Sequence, residues 1–163
     1  MLYLIAIIVV ILDQFTKWLV VAHLAYDQAV VIIPGVLDLL YIQNRGAAFS
    51  MLINQRLLLI VVSLAVMVAV VYVERRYGKG RTDVRVALGL LLGGAAGNLI
   101  DRVRLGSVID FVYLSFIHFP VFNLADSMIV LSILYLVVRF FFFGDRKVAR
   151  RNGGEGADER LDG

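Results

Sequence analysis

Four apolar stretches constrain this chain more than any other feature. They run from about residue 2 to 22, 57 to 73, 86 to 100 and 121 to 143. A helix needs about 20 predominantly apolar residues to cross a bilayer. The third stretch is short, and reaches that length by borrowing Val84 and part of 101–105. The predicted spans are therefore about 2–22, 57–73, 84–102 and 121–143. Composition agrees. The chain is 61% hydrophobic and 18% charged, where soluble domains run at about 45–50% apolar and about 25% charged. A soluble fold of 163 residues has too little interior to hide that much apolar surface. The sequence predicts an all-α polytopic membrane protein, with four transmembrane helices and a small extracytoplasmic β-containing segment. The first stretch reads as a true span and not as a cleaved signal. It lacks a basic flank before its apolar run, and Asp13 and Lys17 interrupt it.

Lysine and arginine set the orientation. The 74–85 connection carries Arg75, Arg76, Lys79, Arg81 and Arg85, and the tail after Phe143 carries Arg146, Lys147, Arg150, Arg151 and Arg160. The 26–56 connection carries only Arg45 and Arg56, and 101–120 only Arg102 and Arg104. Both termini are expected in the cytoplasm, with 26–56 and 101–120 as outer segments. The net charge of +3 is thereby explained by membrane topology, and nucleic acid is not expected as a partner. The peptide 1–143 reads as one membrane domain. The tail 144–163 mixes glycine, arginine and acids without periodicity and reads as a disordered cytoplasmic extension. Within the first outer segment, Val30–Ile33 and Val36–Ile42 flank Pro34-Gly35, the pattern of two short strands about a turn.

The chain has no cysteine, which excludes thiol nucleophiles, disulfides and thiolate metal sites. Its two histidines, His23 and His118, are far apart, and no H-E-x-x-H zinc motif occurs. The informative polar residues are those inside or beside the spans, where a charge is costly. Asp13 and Lys17 are four apart, acid first, the favourable order for an intrahelical pair. They either neutralise each other and tie the first helix to its neighbours, or take part in chemistry. Gly89, Gly93 and Gly97 recur every four residues, with Gly94 beside them, and mark a close helix–helix contact. Asn98, Asp101 and Arg102 come at the outer end of that helix. Asp101 and Arg102 form either an interfacial pair or an anchor for the site residues beyond them.

Asp110 and Asp126 lie at similar depth near the outer interface, and neither has a basic residue at helical-pair spacing. Asn123 precedes Asp126 by three and is expected on the same helix face, with Asp126 about a turn and a half into the fourth span. Two converging carboxylates do not both ionise cheaply. One keeps a proton while the other is charged, the condition an aspartic protease uses. Asp126 stands nearer a helix N-terminus, where the dipole favours charge, so Asp110 is the expected proton holder. The residues alone leave three readings open: a catalytic pair, an ion-coupling site in a four-span transporter, and a hydrogen-bond network in a membrane assembly factor.

The blocks Leu12-Asp13-Gln14-Phe15-Thr16-Lys17, Asn44-Arg45-Gly46-Ala47-Ala48-Phe49-Ser50, Gly93-Gly94-Ala95-Ala96-Gly97-Asn98-Leu99-Ile100-Asp101-Arg102, Gly106-Ser107-Val108-Ile109-Asp110-Phe111 and Phe122-Asn123-Leu124-Ala125-Asp126-Ser127 together resemble the lipoprotein signal peptidase family (signal peptidase II), aspartic peptidases of bacterial lipoprotein maturation. They cover residues 1 to about 143 in the family's order. The resemblance implies an endopeptidase that removes the signal peptide of diacylglyceryl-modified prolipoproteins, cutting just before the lipidated cysteine at the outer face of the bacterial cytoplasmic (inner) membrane. It implies Asp110 and Asp126 as the catalytic pair. Asn44, Asn98 and Arg102 would line or support the substrate site, Asn123 and Ala125 would frame the second aspartate, and Asp13, Lys17 and Asp101 would support the fold or the site. No metal or organic cofactor is implied. The expected partners are prolipoprotein substrates and membrane lipid, and the protein is taken as a monomer.

Overall fold

The computed structural model describes residues 1–46, 52–117 and 119–143. The Ala47-Ala48-Phe49-Ser50 part of the second sequence block, His118, and the tail 144–163 lie outside the described residues. Four helices, α1 (Leu2–His23), α2 (Arg56–Tyr77), α3 (Thr82–Leu105) and α4 (Leu124–Phe143), are joined by a three-stranded sheet made of β1 (Ala29–Ile33), β2 (Leu37–Asn44) and β3 (Val108–Leu114). All four helices are long and apolar enough to span a membrane.

The helix α3 is the hub. It packs against α1, α2 and α4, and 56% of its most apolar stretch is buried, against 28%, 17% and 11% for α1, α2 and α4. The reason is its glycine strip. A methyl group on Gly89 would lie 2.9 Å from the Leu2 carbonyl oxygen, and one on Gly93 would lie 2.8 Å from that of Ala6. One turn on, a methyl on Gly97 would meet the Asp13 carboxylate at 2.5 Å, while on another face Gly94 is pressed against the Ala125 carbonyl of α4. Small residues let the backbones approach where lipid supplies no hydrophobic drive for helices to associate. The apolar core at one end of the bundle gathers Leu2, Ala6, Val70, Val84, Leu88 and Leu92. A second cluster, Val20, Tyr41, Ile109 and Phe111, joins α1 to the sheet.

The sheet is antiparallel in the order β1-β2-β3. Its first hairpin turns at Pro34-Gly35, with Gly35 at φ 70° and the Val36 N–H donating to the Ile33 carbonyl at 2.9 Å. Proline and a positive-φ glycine at the two central positions are the signature of a type II turn. The second strand begins one residue later and ends two residues later than the alternation suggested. It continues to Asn44 because β3 pairs along it, from Leu37 opposite Leu114 to Asn44 opposite Val108. The strand β3 was not expected. The Gly106 cap of α3, at φ 76°, turns the chain straight into it.

The fourth helix starts at Leu124 and not near Val121. Phe122 is held by a bridge to Val112, and Asn123 takes the cap position. Its Oδ1 accepts from the Asp126 N–H at 2.9 Å, while its own N–H donates to Asp126 Oδ2 at 3.2 Å. This reciprocal capping box puts Asp126 in the first turn of α4, nearer the helix end than the sequence spacing implied.

Candidate active site

Every polar residue singled out in the spans belongs to one connected network at the sheet-bearing end of the bundle. It starts at Lys17, which is 2% exposed. The ammonium lies 2.9 Å from Asp13 Oδ2 and 2.8 Å from Asp101 Oδ2, and donates to Asn98 Oδ1 at 3.1 Å. Three donor sites of one lysine thus meet three acceptors. Lys17 therefore ties α1 to α3 as well as pairing along its own helix. Asp13 extends the tie to α4, accepting the Ala125 N–H at 3.1 Å. Ala125 is fully buried, and its carbonyl sits against Gly94, which has no room for even a Cβ. Asp101 is the anchor and not an interfacial partner of Arg102. Its Oδ2 accepts the Ile109 N–H at 3.2 Å, which fixes β3 one residue before Asp110.

Asp110 and Asp126 come from different elements and face the same cavity of about 580 Å³. Asp110, 1% exposed, accepts from Asn123 Nδ2 at 2.7 Å and from Asn44 Nδ2 at 3.0 Å. Asn44 reaches it because Ile42 is the cross-strand partner of Asp110, so Asn44 is its diagonal neighbour. Asp126 accepts from Asn98 Nδ2 at 2.7 Å. Asn98 is thus shared: its oxygen accepts from Lys17 and from Asn123 Nδ2 at 3.1 Å, and its nitrogen serves Asp126. Burial first, and the charge of Asp126 second, push the Asp110 carboxyl up to about 7, against the opposing hydrogen bonds from Asn44 and Asn123. A carboxyl so placed can keep its proton near neutral pH, the condition for an acid in a carboxyl pair.

Arg102 lines the same cavity. Its Nη2 reaches the Gly46 carbonyl at 3.5 Å, and its Nε is buried without a hydrogen-bond partner among the described residues. Apart from Ser127 the rest of the wall is apolar, and includes Leu114, Ile117 and Phe119 together with Ile129, Val130 and Leu131 of α4. Among the described residues no group of three or more His, Asp or Glu is placed to hold a metal ion.

Two contributors were missed by sequence reasoning. Gln14 donates to Asp101 Oδ1 at 2.9 Å and to the Gly97 carbonyl at 3.3 Å; a polar residue beside Asp13 in an apolar run was the available signal. Arg56 donates through Nε and Nη2 to the Arg102 and Val103 carbonyls, both at 2.8 Å. It adds a positive charge and two donors to carbonyls at the negative end of α3, and its place directly before an uncharged span was the only hint.

Fold and site together define a four-helix membrane protein with an amide-held aspartate pair, Asp110 buried and Asp126 half-buried, opening on a largely apolar cleft. Comparison with known proteins gives that class a family. Residues 5–142 match the family described as Signal peptidase (SPase) II. The lipoprotein signal peptidase of Bacillus velezensis is 40% identical over 147 residues, covering 89% of this chain and 96% of the relative. That of Geobacillus kaustophilus is 44% identical over 143 residues, covering 86% and 93%. A solved structure of a bacterial membrane enzyme superposes with a TM-score of 0.82 at 30% identity, over 88% of this chain and 91% of that one. The chain belongs to the signal peptidase II family, and it is a membrane peptidase.

Proposed function

We propose that Asp110 and Asp126 are the catalytic pair with which this protein cleaves diacylglyceryl-modified prolipoproteins just before the lipidated cysteine. The observation that carries this reading is the pair itself: two carboxyl groups on separate elements, held among the described residues by amides, facing one largely apolar cavity. Asp126 is the ionised member and takes a proton from the attacking water. Asp110 is the protonated member and donates to the scissile carbonyl oxygen as the tetrahedral intermediate forms. The proton gained by Asp126 then passes to the departing amide nitrogen as the C–N bond breaks, and the carbonyl re-forms by returning a hydroxyl proton to Asp110. Asn44, Asn98 and Asn123 hold the two carboxyl groups in place, and Arg102 adds positive charge to the cavity wall. Asp13, Lys17 and Asp101 fix the helices that carry them, and Ala125 frames Asp126 through its N–H to Asp13 and its carbonyl against Gly94.

The substrate's acyl chains stay in the bilayer, which suits the apolar wall between Leu114 and Leu131. The site then belongs at the extracytoplasmic face of the inner membrane, with both termini in the cytoplasm and 1–143 acting as one domain, a monomer, with the tail dispensable. The charge contrast between the connections supports this orientation. Purified protein incubated with a lipidated prolipoprotein should release the signal peptide; a substrate that remains whole would reject the reading. The cysteine-free background tests the direction. A cysteine near Gln28 should react with an impermeant thiol reagent outside intact cells, and one near Lys79 only after the membrane is opened. The reverse labelling would invert the topology.

A further inference from the structure

A prolipoprotein held at the aspartate pair has three arms. Its signal segment and its acyl chains are both apolar and belong with the bilayer. The mature polypeptide beyond the cysteine is the only arm that has to leave the membrane, so it needs a polar way out. The structure holds a second cleft, of about 560 Å³, that adjoins the aspartate cavity and shares Asn44, Pro120 and Val121 with it. Where the first cavity is walled by apolar side chains, this one adds Tyr26, Gln43 and Arg45. Arg45 is its one formally charged side chain among the described residues, and no acid lines it. Arg45 is exposed and makes no hydrogen bond or ion pair among the described residues. Its neighbour Asn44 touches Asp110 at 3.0 Å.

We infer that this polar cleft is the subsite for the mature chain after the cysteine, and that Arg45 makes it select acidic over basic residues there. The inference rests on the peptidase reading and deepens it. An extended chain advances about 3.3–3.6 Å per residue. Arg45 comes one residue after the Asp110-bound Asn44, so its guanidinium meets the substrate about two to four positions after the scissile bond. A lone cation in a water-facing cleft attracts carboxylates and repels ammonium groups, with an effect that salt screens.

The test uses the purified full-length enzyme and lipidated prolipoprotein peptides that differ only in the first to third residues after the cysteine, carrying aspartate, serine or lysine. The readout is the ratio of kcat/KM for the aspartate peptide to that for the lysine peptide, taken within each enzyme. The wild-type ratio should be about five- to tenfold at low ionic strength and shrink as salt is added. Arg45→Gln should bring it close to one, Arg45→Glu should invert it, and Arg45→Lys should retain it. A wild-type ratio near one, or a ratio that Arg45→Glu leaves unchanged, overturns the subsite. Failure of the wild-type enzyme to cleave any of the peptides, serine included, overturns the peptidase reading on which the subsite rests.

Discussion

Asp13 and Asp101 flank the Lys17 ammonium at 2.9 and 2.8 Å, whereas Asp110 and Asp126 receive their hydrogen bonds from amides. The two pairs share one network, and Asn98 touches both, accepting from Lys17 and donating to Asp126. Their roles differ because different groups answer their charge. The first pair has a full counter-ion in a space closed to solvent, and its contacts hold α1, α3, α4 and the sheet together. Among the described residues the second pair has dipoles but no directly bonded cation. Bringing two carboxyls together there favours a shared proton, and a movable proton is what hydrolysis of a peptide bond requires. The first pair positions the second, because Asp101 fixes the backbone at Ile109 and Asp13 fixes it at Ala125, each one residue from an aspartate of the proposed catalytic pair.

The contrast is tested most sharply by neutral isosteres. Asp110→Asn or Asp126→Asn should each lower turnover by about 10³-fold or more, with the folded protein recovered in normal yield. Near-normal turnover by either variant would remove the catalytic assignment. In the other pair the damage should fall on stability. Lys17→Met leaves two buried carboxylates facing each other without a cation, which costs about 3–5 kcal/mol. Combining it with Asp13→Asn should recover part of the loss. Thermal unfolding in detergent measures both. A Lys17→Met protein as stable as the wild type would show that the cluster holds nothing together.

Much of this arrangement was legible in the sequence, and the remainder had physical reasons to be hidden. The four spans were readable because lipid demands long apolar runs. Asp110 and Asp126 stood out because an acid is expensive at that depth. Gly89, Gly93 and Gly97 announced a close contact, though not that Gly97 would back onto Asp13. The partnership of Lys17 with Asp101 could not be seen, because it joins residues far apart in the chain and depends on how α1 lies on α3. The strand β3 was hidden for a similar reason. Val108–Leu114 is short and carries a charged residue, and only its pairing with β2 makes it a strand. Asn123 read as a helical neighbour of Asp126 by spacing, when spacing of three from a polar residue to an acid is equally the mark of a cap.

A smaller and graded effect comes from pH. The Asp110 carboxyl titrates at about 7 in the folded protein, and near 3.9 in an unfolded chain. Between these values the folded state carries the extra proton, so ionising Asp110 costs stability as pH rises from about 4 to about 7. Asp110→Asn cannot ionise. Its melting temperature should exceed the wild-type value at pH 8, and the advantage should vanish toward pH 4. Wild-type kcat/KM should fall above about pH 7, as the proton on Asp110 is lost. A melting-temperature difference that does not vary with pH would mean that Asp110 is already ionised across this range.

The smallest effect is expected at an ion pair remote from both aspartate pairs. Arg85 and Glu74 join α3 to α2 with Nη2 and Nε of the arginine both 2.9 Å from Glu74 Oε1. The geometry is as close as that around Lys17, yet the setting differs: the Arg85 side chain is 41% exposed, that of Lys17 2%. Water can take over the guanidinium if its partner is neutralised, so no buried charge is stranded. Glu74→Gln should therefore cost about 1 kcal/mol or less and leave turnover at the wild-type level. The measurements are the melting temperature and the cleavage rate of the lipidated substrate. A loss comparable with that of Lys17→Met would mean that distance alone governs these pairs. The distinction drawn from burial and from the available counter-ion would then fail for the aspartate pairs as well.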